Sequence, residues 1–468
     1  MILCVFVSLW LNTTMSAELR RELTFWDLVF FHLTAIVGLR WVSIAASNGF
    51  SAIPLWFLAF ACFFLPQAFV LLQLSRKWPV EGGLYQWTKQ ALGPFHGFIA
   101  GWCYFFNNLF YYPTVLTTAA GYATYIWFSK TAGLEANKTY VFWFCFVFVW
   151  AVLFLNMVGL RIGKWVQNIG GLSTWIPGGI VIILGAAYFS TRGSATPFDW
   201  NSLLPTWNLD TWIFWSYICF AFAGFELITL MGGEIKDPQR NIPRSIYVAG
   251  TIGTFIYIVG TLALIVSLPK ETISLISGVL QGIAEQGKAF HIPLLTSVIA
   301  VLLVLAQFGA VGAWMSGSGR VLYSVGVDRY LPEAFSRIHP KWATPHISIL
   351  IQGVISSIFL ILSAAGATVR QFWQLLLSAT VIIYFIPYLY MFLAYFAFMR
   401  KKQMPWSFSG IASCVLGFLA TAVSIAISLL PPPDEGKLLY EIKIIGGTLV
   451  TIGIAVFLYY RAQRVGTA

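Results

Sequence analysis

Charge is scarce in this sequence. Only 10% of its 468 residues are Asp, Glu, Lys or Arg, against 59% hydrophobic residues, and a soluble globular domain carries about 25% charged residues. So few charges cannot dress a water-facing surface, which excludes an ordinary soluble domain and leaves one embedded in a lipid bilayer. Period-2 alternation of apolar and polar residues is missing too, and with it the signature of a β-barrel wall. The apolar runs are instead continuous, twenty or more residues long, each enough to cross a hydrocarbon core of about 30 Å as a helix. Cysteine is limited to Cys4, Cys62, Cys103, Cys145, Cys219 and Cys414. No C-x-x-C pair or neighbouring histidine accompanies them, so they read as small buried apolar residues rather than metal ligands or disulfide partners. The five histidines, His32, His96, His291, His339 and His346, lie far apart, with no H-E-x-x-H, G-x-S-x-G or phosphate-binding loop around them. An enzyme therefore has no catalytic constellation here, no cofactor or metal is implied, and a channel has no pore-lining motif.

What charge there is leans positive, a formal net of +11. In a soluble chain that excess would suggest nucleic acid; here it sits in loops, where the positive-inside rule accounts for it. The hydrophobic pattern predicts twelve spans, at about 26–47, 52–74, 94–127, 139–158, 164–189, 210–233, 246–268, 293–316, 346–366, 371–399, 407–430 and 439–460. With the N-terminus inside, nineteen of the 28 Lys and Arg residues fall on the cytoplasmic side and seven outside, leaving Arg40 and Lys443 within spans. The expectation is a multi-pass protein of the inner (cytoplasmic) membrane with both termini cytoplasmic. Residues 1–25 read as a cytoplasmic N-terminal segment. Its first fourteen residues lack the basic region of a signal peptide and fit an upstream extension before Met15. The loop 320–345 is long enough for an amphipathic surface helix, and the outer loops near 190–209 and 269–292 for short helices.

Two spans are interrupted. Span 1 carries Ile36-Val37-Gly38-Leu39-Arg40 and span 6 carries Phe222-Ala223-Gly224-Phe225-Glu226. A glycine alone often serves only close helix packing. Paired interruptions at corresponding positions of two halves, however, point to a binding site at the bilayer midplane. Each is followed two residues on by an ionisable group, and an unpaired charge near mid-span costs at least ~3 kcal/mol. Three readings are open. Arg40 and Glu226 form a structural ion pair; or Arg40 binds a substrate carboxylate while Glu226 binds an amine or relays a proton; or one of them snorkels to an interface. Broken helices also offer bare backbone groups: amides at the start of a half-helix suit a carboxylate, and carbonyls at the end of the preceding one suit an ammonium. Tyr104, Asn107, Asn108, Tyr111 and Tyr112 place polar groups within span 3, for helix–helix bonding or for a cavity lining. Trp314 precedes a run of small residues, Ser316-Gly317-Ser318-Gly319.

Three motifs in order resemble the amino acid–polyamine–organocation superfamily of permeases. They are P-V-E-G-G-L-Y-x-W at Pro79–Trp87; E-x-K-D-P-x-R-x-I-P-R-S at Glu234–Ser245 after F-A-G-F-E; and G-R-V-L-Y at Gly319–Tyr323 with D-R-Y-L-P at Asp328–Pro332 and H-P-K-x-x-T-P at His339–Pro345. The similarity runs from Leu23 to span 12. It implies an all-α polytopic fold of about twelve transmembrane helices: inverted five-helix repeats over 26–189 and 210–399, two further helices over 407–460, a cytoplasmic tail at 461–468, and alternating access around broken helices 1 and 6. Carried over by position, the carboxylate-holding amides fall on Gly38, Leu39 and Arg40, an aromatic gate on Phe220, a substrate-stacking indole on Trp314, and polar helix 3 positions on Tyr104, Asn108 and Tyr112. With Phe222, Ala223, Gly224 and Glu226 of the second break, these make up the expected substrate site. Two departures stand out. Arg40 replaces the second glycine of the helix 1 motif, crowding the carboxylate cradle and adding a charge. The family's coupling lysine in helix 5 falls near Thr174, which offers no titratable group for that route of proton coupling, and Thr174, Ser316 and Ser318 become candidate sodium ligands beside Glu226 as a proton carrier.

The resulting expectation is an amino acid permease or antiporter, coupled to H+ or Na+, that binds a small-molecule amino acid within the lipid bilayer and has no nucleic-acid partner. An amine or polyamine carrier is the alternative within the class, with Glu226 as cation ligand and Arg40 as its counter-ion. A channel or a membrane-embedded enzyme is the alternative outside it. Substrate identity and oligomeric state are not legible.

Overall fold

The computed structural model describes residues 21–80, 82–126, 134–206, 209–364, 368–430 and 437–465. The expected N-terminal extension at 1–14 lies outside them. The described residues form sixteen α-helices: α1 Phe25–Ile36, α2 Leu39–Ala46, α3 Ala52–Ala59, α4 Leu65–Lys77, α5 Gly83–Leu92, α6 Pro94–Ala123, α7 Lys138–Met157, α8 Leu160–Arg192, α9 Leu209–Ala221, α10 Pro238–Ser267, α11 Gly278–Ala289, α12 Leu295–Val327, α13 His346–Ala364, α14 Val369–Arg400, α15 Phe408–Ser428 and α16 Lys437–Arg464. No strand accompanies them among the described residues; one isolated bridge joins Leu23 to Ile235.

Ten stretches are long and apolar enough to cross a membrane. The 30-residue α6 and the 19-residue α13 complete twelve crossings. Polar residues dilute the apolarity of α6 at Tyr104, Asn107, Asn108, Tyr111 and Tyr112. Local sequence sets the helix ends. Pro94 and Pro238 open α6 and α10 at positions where a missing N–H costs nothing. Asn137, Thr368 and Ser407 cap α7, α14 and α15 by accepting from the third residue on.

Burial orders the bundle. The first and sixth spans are 89% and 94% buried, the last two only 33% and 22%. Both interrupted spans therefore run through the middle, and α15 and α16 flank the rest. The sixth span is α9 followed by 3₁₀ winding over Phe225–Glu234, in two short pieces that meet at a kink at Met231 (φ −108°, ψ 25°), in keeping with the short runs usual for that conformation.

The family-like motifs meet at one end of the bundle, where the chain enters. The Gly82 amide donates to Leu230 O at 3.2 Å, and a Cβ on Gly83 would lie 2.7 Å from Thr229 Oγ1 and 3.1 Å from its backbone. Only glycine lets the loop before α5 press onto the 3₁₀ segment. Glu234, the last residue of that segment, forms a buried two-pronged ion pair with Arg320 of α12, at 2.8 and 3.0 Å, while the guanidinium also donates to Ser316. Lys89 and Tyr85 of α5 both bind Asp328, the former at 2.7 Å. Burial and that neighbouring carboxylate hold the Tyr85 phenol above its usual range. The amides of Glu22 and Leu23 donate to Glu234 O, and Lys236 N returns a bond to Leu23 O, stitching the incoming chain to the same point.

Two expectations are corrected here. The loop thought to start at Arg320 is helical to Val327, and its remainder holds only a 3₁₀ turn at Glu333–Ser336 rather than an amphipathic surface helix. The expected loop 234–245 is largely the first turns of α10. The short helix anticipated near 269–292 is α11.

Replacing Glu234 by Gln strands the Arg320 charge in the interior, a loss of about 3–5 kcal/mol, read as a lower unfolding temperature in detergent. A Glu234→Leu/Arg320→Leu double variant regains most of it; a double variant no more stable than Glu234→Gln would refute this assignment.

Candidate functional site

The site grows out of the two breaks. Val37 (φ −73°, ψ 83°) and Gly38 (φ −93°, ψ 114°) separate α1 from α2. Phe222 to Gly224 separate α9 from the 3₁₀ segment, with Gly224 at φ 113°. Gly224 is required twice over: its φ is left-handed, and a Cβ there would lie 3.0 Å from both Ile36 and Trp314.

Unpaired backbone groups within lipid cost several kcal/mol each, so the freed carbonyls need donors. Trp314 Nε1 donates to Ala35 O at 2.9 Å. Tyr257 Oη donates to Ile36 O at 2.7 Å and lies 3.1 Å from Ala221 O, so one hydroxyl spans both breaks. Gln67 Nε2 donates to Phe222 O, His32 Nε2 lies 3.1 Å from Phe225 O, and the Gly224 amide donates to Tyr388 Oη at 2.9 Å. The carbonyls expected to be bare are therefore in part engaged: Ala35 O, Ile36 O and Phe222 O each accept from a side chain.

Arg40, in the first turn of α2, is 2% exposed. Its Nη1 donates to Gln307 Oε1 at 3.1 Å and its Nη2 to Tyr111 Oη; Nε has no partner. The guanidinium lies 4.5 Å over Trp41 and 5.4 Å from the Tyr111 ring, favourable contacts for a desolvated cation. It folds back over Gly38, where a Cβ would meet Nη1 at 3.0 Å, so it occupies the expected carboxylate cradle. Beside it lies a cavity of about 10 Å³, room for one water molecule, lined among others by Gly38, Leu39, Thr174 and Gln307.

Glu226 is 1% exposed. Tyr104 donates to Oε1 at 2.9 Å, Tyr384 to the same oxygen and Tyr388 to Oε2. Neither charge has an ion-pair partner among the described residues. The expected Arg40–Glu226 pair is therefore absent. Aromatic rings stand between them instead. Trp314 packs on Tyr111 at 5.4 Å and on Tyr384 at 5.5 Å; Phe220 packs on the same two rings at 6.2 and 5.4 Å.

The other expected residues divide. Asn108 donates to Tyr104 O at 2.7 Å and leaves Oδ1 without a partner. Tyr112 turns instead to Ser318 and Gln352, a junction between α6, α12 and α13. The Phe222 ring packs on Trp56, Phe64 and Tyr257, while Ala223 belongs to the break itself. The Thr174 hydroxyl donates to Gly170 O at 3.0 Å. Ser316, Ser318 and Thr174 thus serve three separate networks, and the Arg320 guanidinium on Ser316 opposes a cation there. Missed by sequence reasoning were Tyr384 and Tyr388, one turn apart on α14, together with Gln307, Tyr257 and Gln67. The isolated glutamines amid apolar runs were the available signal.

This is a broken-helix membrane site with one buried charge of each sign, and a family model described as amino acid permease matches residues 23–452. The chain belongs to the amino acid permease family. The permease is 29% identical to an uncharacterized transporter of Legionella pneumophila, over 93% of this chain and 96% of that one. It is 22% identical to a probable agmatine/putrescine antiporter of Lactococcus lactis, over 90% and 91% of the two chains. The crystal structure of MhsT in complex with L-phenylalanine shares the fold, with a TM-score of 0.64 at 14% identity, covering 91% of the permease and all of that chain. The permease is an integral, multi-pass membrane transporter.

Tyr257→Phe removes the hydroxyl common to both breaks and leaves Ile36 O with the Gly38 amide as its donor, an expected loss of roughly 0.5–1.5 kcal/mol, measurable as a reduced unfolding temperature in detergent. A variant as stable as the parent would show that the breaks do not depend on it.

Proposed function

We propose that this permease is a secondary transporter of an amino acid, moving it by alternating access around a midplane site between the broken first and sixth spans, with Arg40 as the carboxylate ligand. The observation that carries the reading is a permanently charged guanidinium, buried beside a small cavity and held only by neutral groups. A buried charge without a counter-charge is expensive, and an incoming carboxylate supplies the missing one. The amides of Leu39 and Arg40 open α2, where a helix leaves its first N–H groups unpaired and favours an anion. Phe220 and Trp314 pack around this pole and suit the roles of gate and stacking surface.

Within this reading, residues 26–189 and 210–399 are inverted repeats that rock about the breaks, and 407–460 add two peripheral helices. Both termini are cytoplasmic in an inner membrane, which makes the interlock of Glu234, Arg320 and Asp328 a closed cytoplasmic face. Glu226 serves as the second pole, for an amine or a coupling proton; Thr174, lining the Arg40 cavity, remains the sodium alternative. A second reading, an amine or polyamine carrier, is favoured by the Glu226 carboxylate and by the relative named as an agmatine/putrescine antiporter.

In proteoliposomes, Arg40→Ala is expected to abolish amino acid uptake, at least 100-fold, a loss of about 2.7 kcal/mol, with membrane insertion intact. Arg40→Lys keeps the charge but loses the fork and recovers only part. Uptake by Arg40→Ala at the parental rate would remove Arg40 from the site, and transport confined to diamines would favour the second reading.

A further inference from the structure

We propose that the groove between α8 and α10 is the seat of one membrane phospholipid, its acyl chain lying between the two helices and its phosphate meeting Arg192 and Lys270 at the rim. The groove lies at the end of the bundle opposite the Glu234–Arg320 interlock, since α10 starts beside Glu234 at Pro238 and reaches the groove in its last turns.

Small residues create it. A Cβ on Gly185 would lie 2.5 Å from that of Ala263, so α8 and α10 touch there, as small residues allow. Ala186, beside that contact, leaves open the space a larger side chain would fill. The result is a groove of about 400 Å³, walled by Ala186 and Phe189 of α8 and by Val259 and Leu262 of α10. Phe50 and Phe198 close its top, their rings packed edge to face at 5.0 Å. The loop that carries Phe198 is pinned in place. The amides of Ala195 and Thr196 donate to Val266 O and Ile265 O, and Thr196 Oγ1 donates to Leu268 O at 2.8 Å. The seat is preformed.

Its lining selects an apolar occupant. Ser194 is the one polar side chain among the described residues that line it, and its hydroxyl donates to Thr196 O at 2.6 Å. No polar group is left for the charged ends of an amino acid, and an apolar cavity does not hold water. The walls run on into Ile183 of α8 and Phe255 of α10, both exposed. In a membrane-spanning chain such faces meet lipid tails, so the groove continues the boundary between protein and lipid.

The rim adds the chemistry of a headgroup. Exposed Trp200, two residues after Phe198, marks this loop as lying at the depth where indoles gather. Arg192 stands in the chain between Phe189 and Ser194, both of the lining. The Lys270 stem lies over Gly49, next to Phe50, with Cδ 3.1 Å from where a Gly49 Cβ would be. Both basic residues are exposed. Arg192 makes a long bond of 3.4 Å to Ala289 O. Neither cation pairs with a carboxylate among the described residues, Asp199 and Glu271 of the same rim included. Two uncompensated cations above an apolar slot match the phosphate and the tail of a phospholipid.

The test takes the full-length permease, purified in a neutral detergent and stripped of lipid. It is titrated with phosphatidylglycerol and with diacylglycerol of the same two chains, and binding is read by native mass spectrometry. Phosphatidylglycerol with a photoreactive group at mid-chain then maps the contact in liposomes. Phosphatidylglycerol is expected to bind at least about tenfold more tightly than diacylglycerol, and the label to concentrate on 182–198 and 259–266. Lys270→Gln and Arg192→Gln are each expected to weaken phosphatidylglycerol binding about fivefold. Ala186→Phe, which fills the groove from an exposed position, is expected to remove the label without lowering the unfolding temperature of the lipid-free protein. Label spread over α15 and α16, the least buried spans, as heavily as over the groove would overturn the proposal. Diacylglycerol bound as tightly as phosphatidylglycerol would overturn it too, as would an unlabelled groove to which a second copy or another membrane polypeptide cross-links. The wild-type measurements decide the matter even if a variant fails to fold.

Discussion

A peptide group inside a bilayer has no water to turn to, and everything at the centre of this permease follows from that. An unbroken helix satisfies its own backbone; a broken one must borrow donors and acceptors from its neighbours. The loans come from α4, α10, α12 and α14, through Gln67, Tyr257, Trp314 and Tyr388, and from His32 of α1 itself. Those side chains are fixed by the bonds they make, and the aromatic lining of the site is a by-product of the same requirement. On the proposed reading, scaffold and binding surface are one set of residues.

The pattern of apolar runs was enough to place twelve spans, because a helix in lipid must be long, continuous and apolar. The breaks were legible as well, since glycine followed by an ionisable residue in mid-span has few structural uses. What escaped was pairing. Arg40 and Glu226 looked like natural partners when only depth and sign were known. Their separation depends on which helix faces bear Tyr111, Gln307 and Tyr384, and a one-dimensional reading in a chain with 20 tyrosines cannot choose among so many hydroxyls. The same limit misplaced Ser316, whose hydroxyl looked available until Arg320 one turn later claimed it. Loops misled for a different reason: charged residues such as Arg320 are allowed inside a helix once a buried carboxylate meets them, so a charge did not mark the end of a span.

Two glutamates of the sixth span, one at its middle and one at its end, show opposite solutions to one electrostatic problem. Glu234 meets Arg320 in a complete, two-pronged ion pair, and the charges cancel. Eight residues earlier in the same span, Glu226 receives only hydroxyl dipoles, which soften its burial without cancelling it. A protein optimised purely for stability would treat both alike. The contrast separates a closed clamp at Glu234 from the uncompensated carboxylate at Glu226 to which the proposed function gives a ligand or proton role.

Between those two glutamates the backbone departs from helix once more, at Met231 (φ −108°, ψ 25°). A straight rod passes a push along its axis undiminished, whereas a bent one divides it. The bend at Met231 therefore separates the depth of Glu226 in the bilayer from the register of Glu234 at the far end.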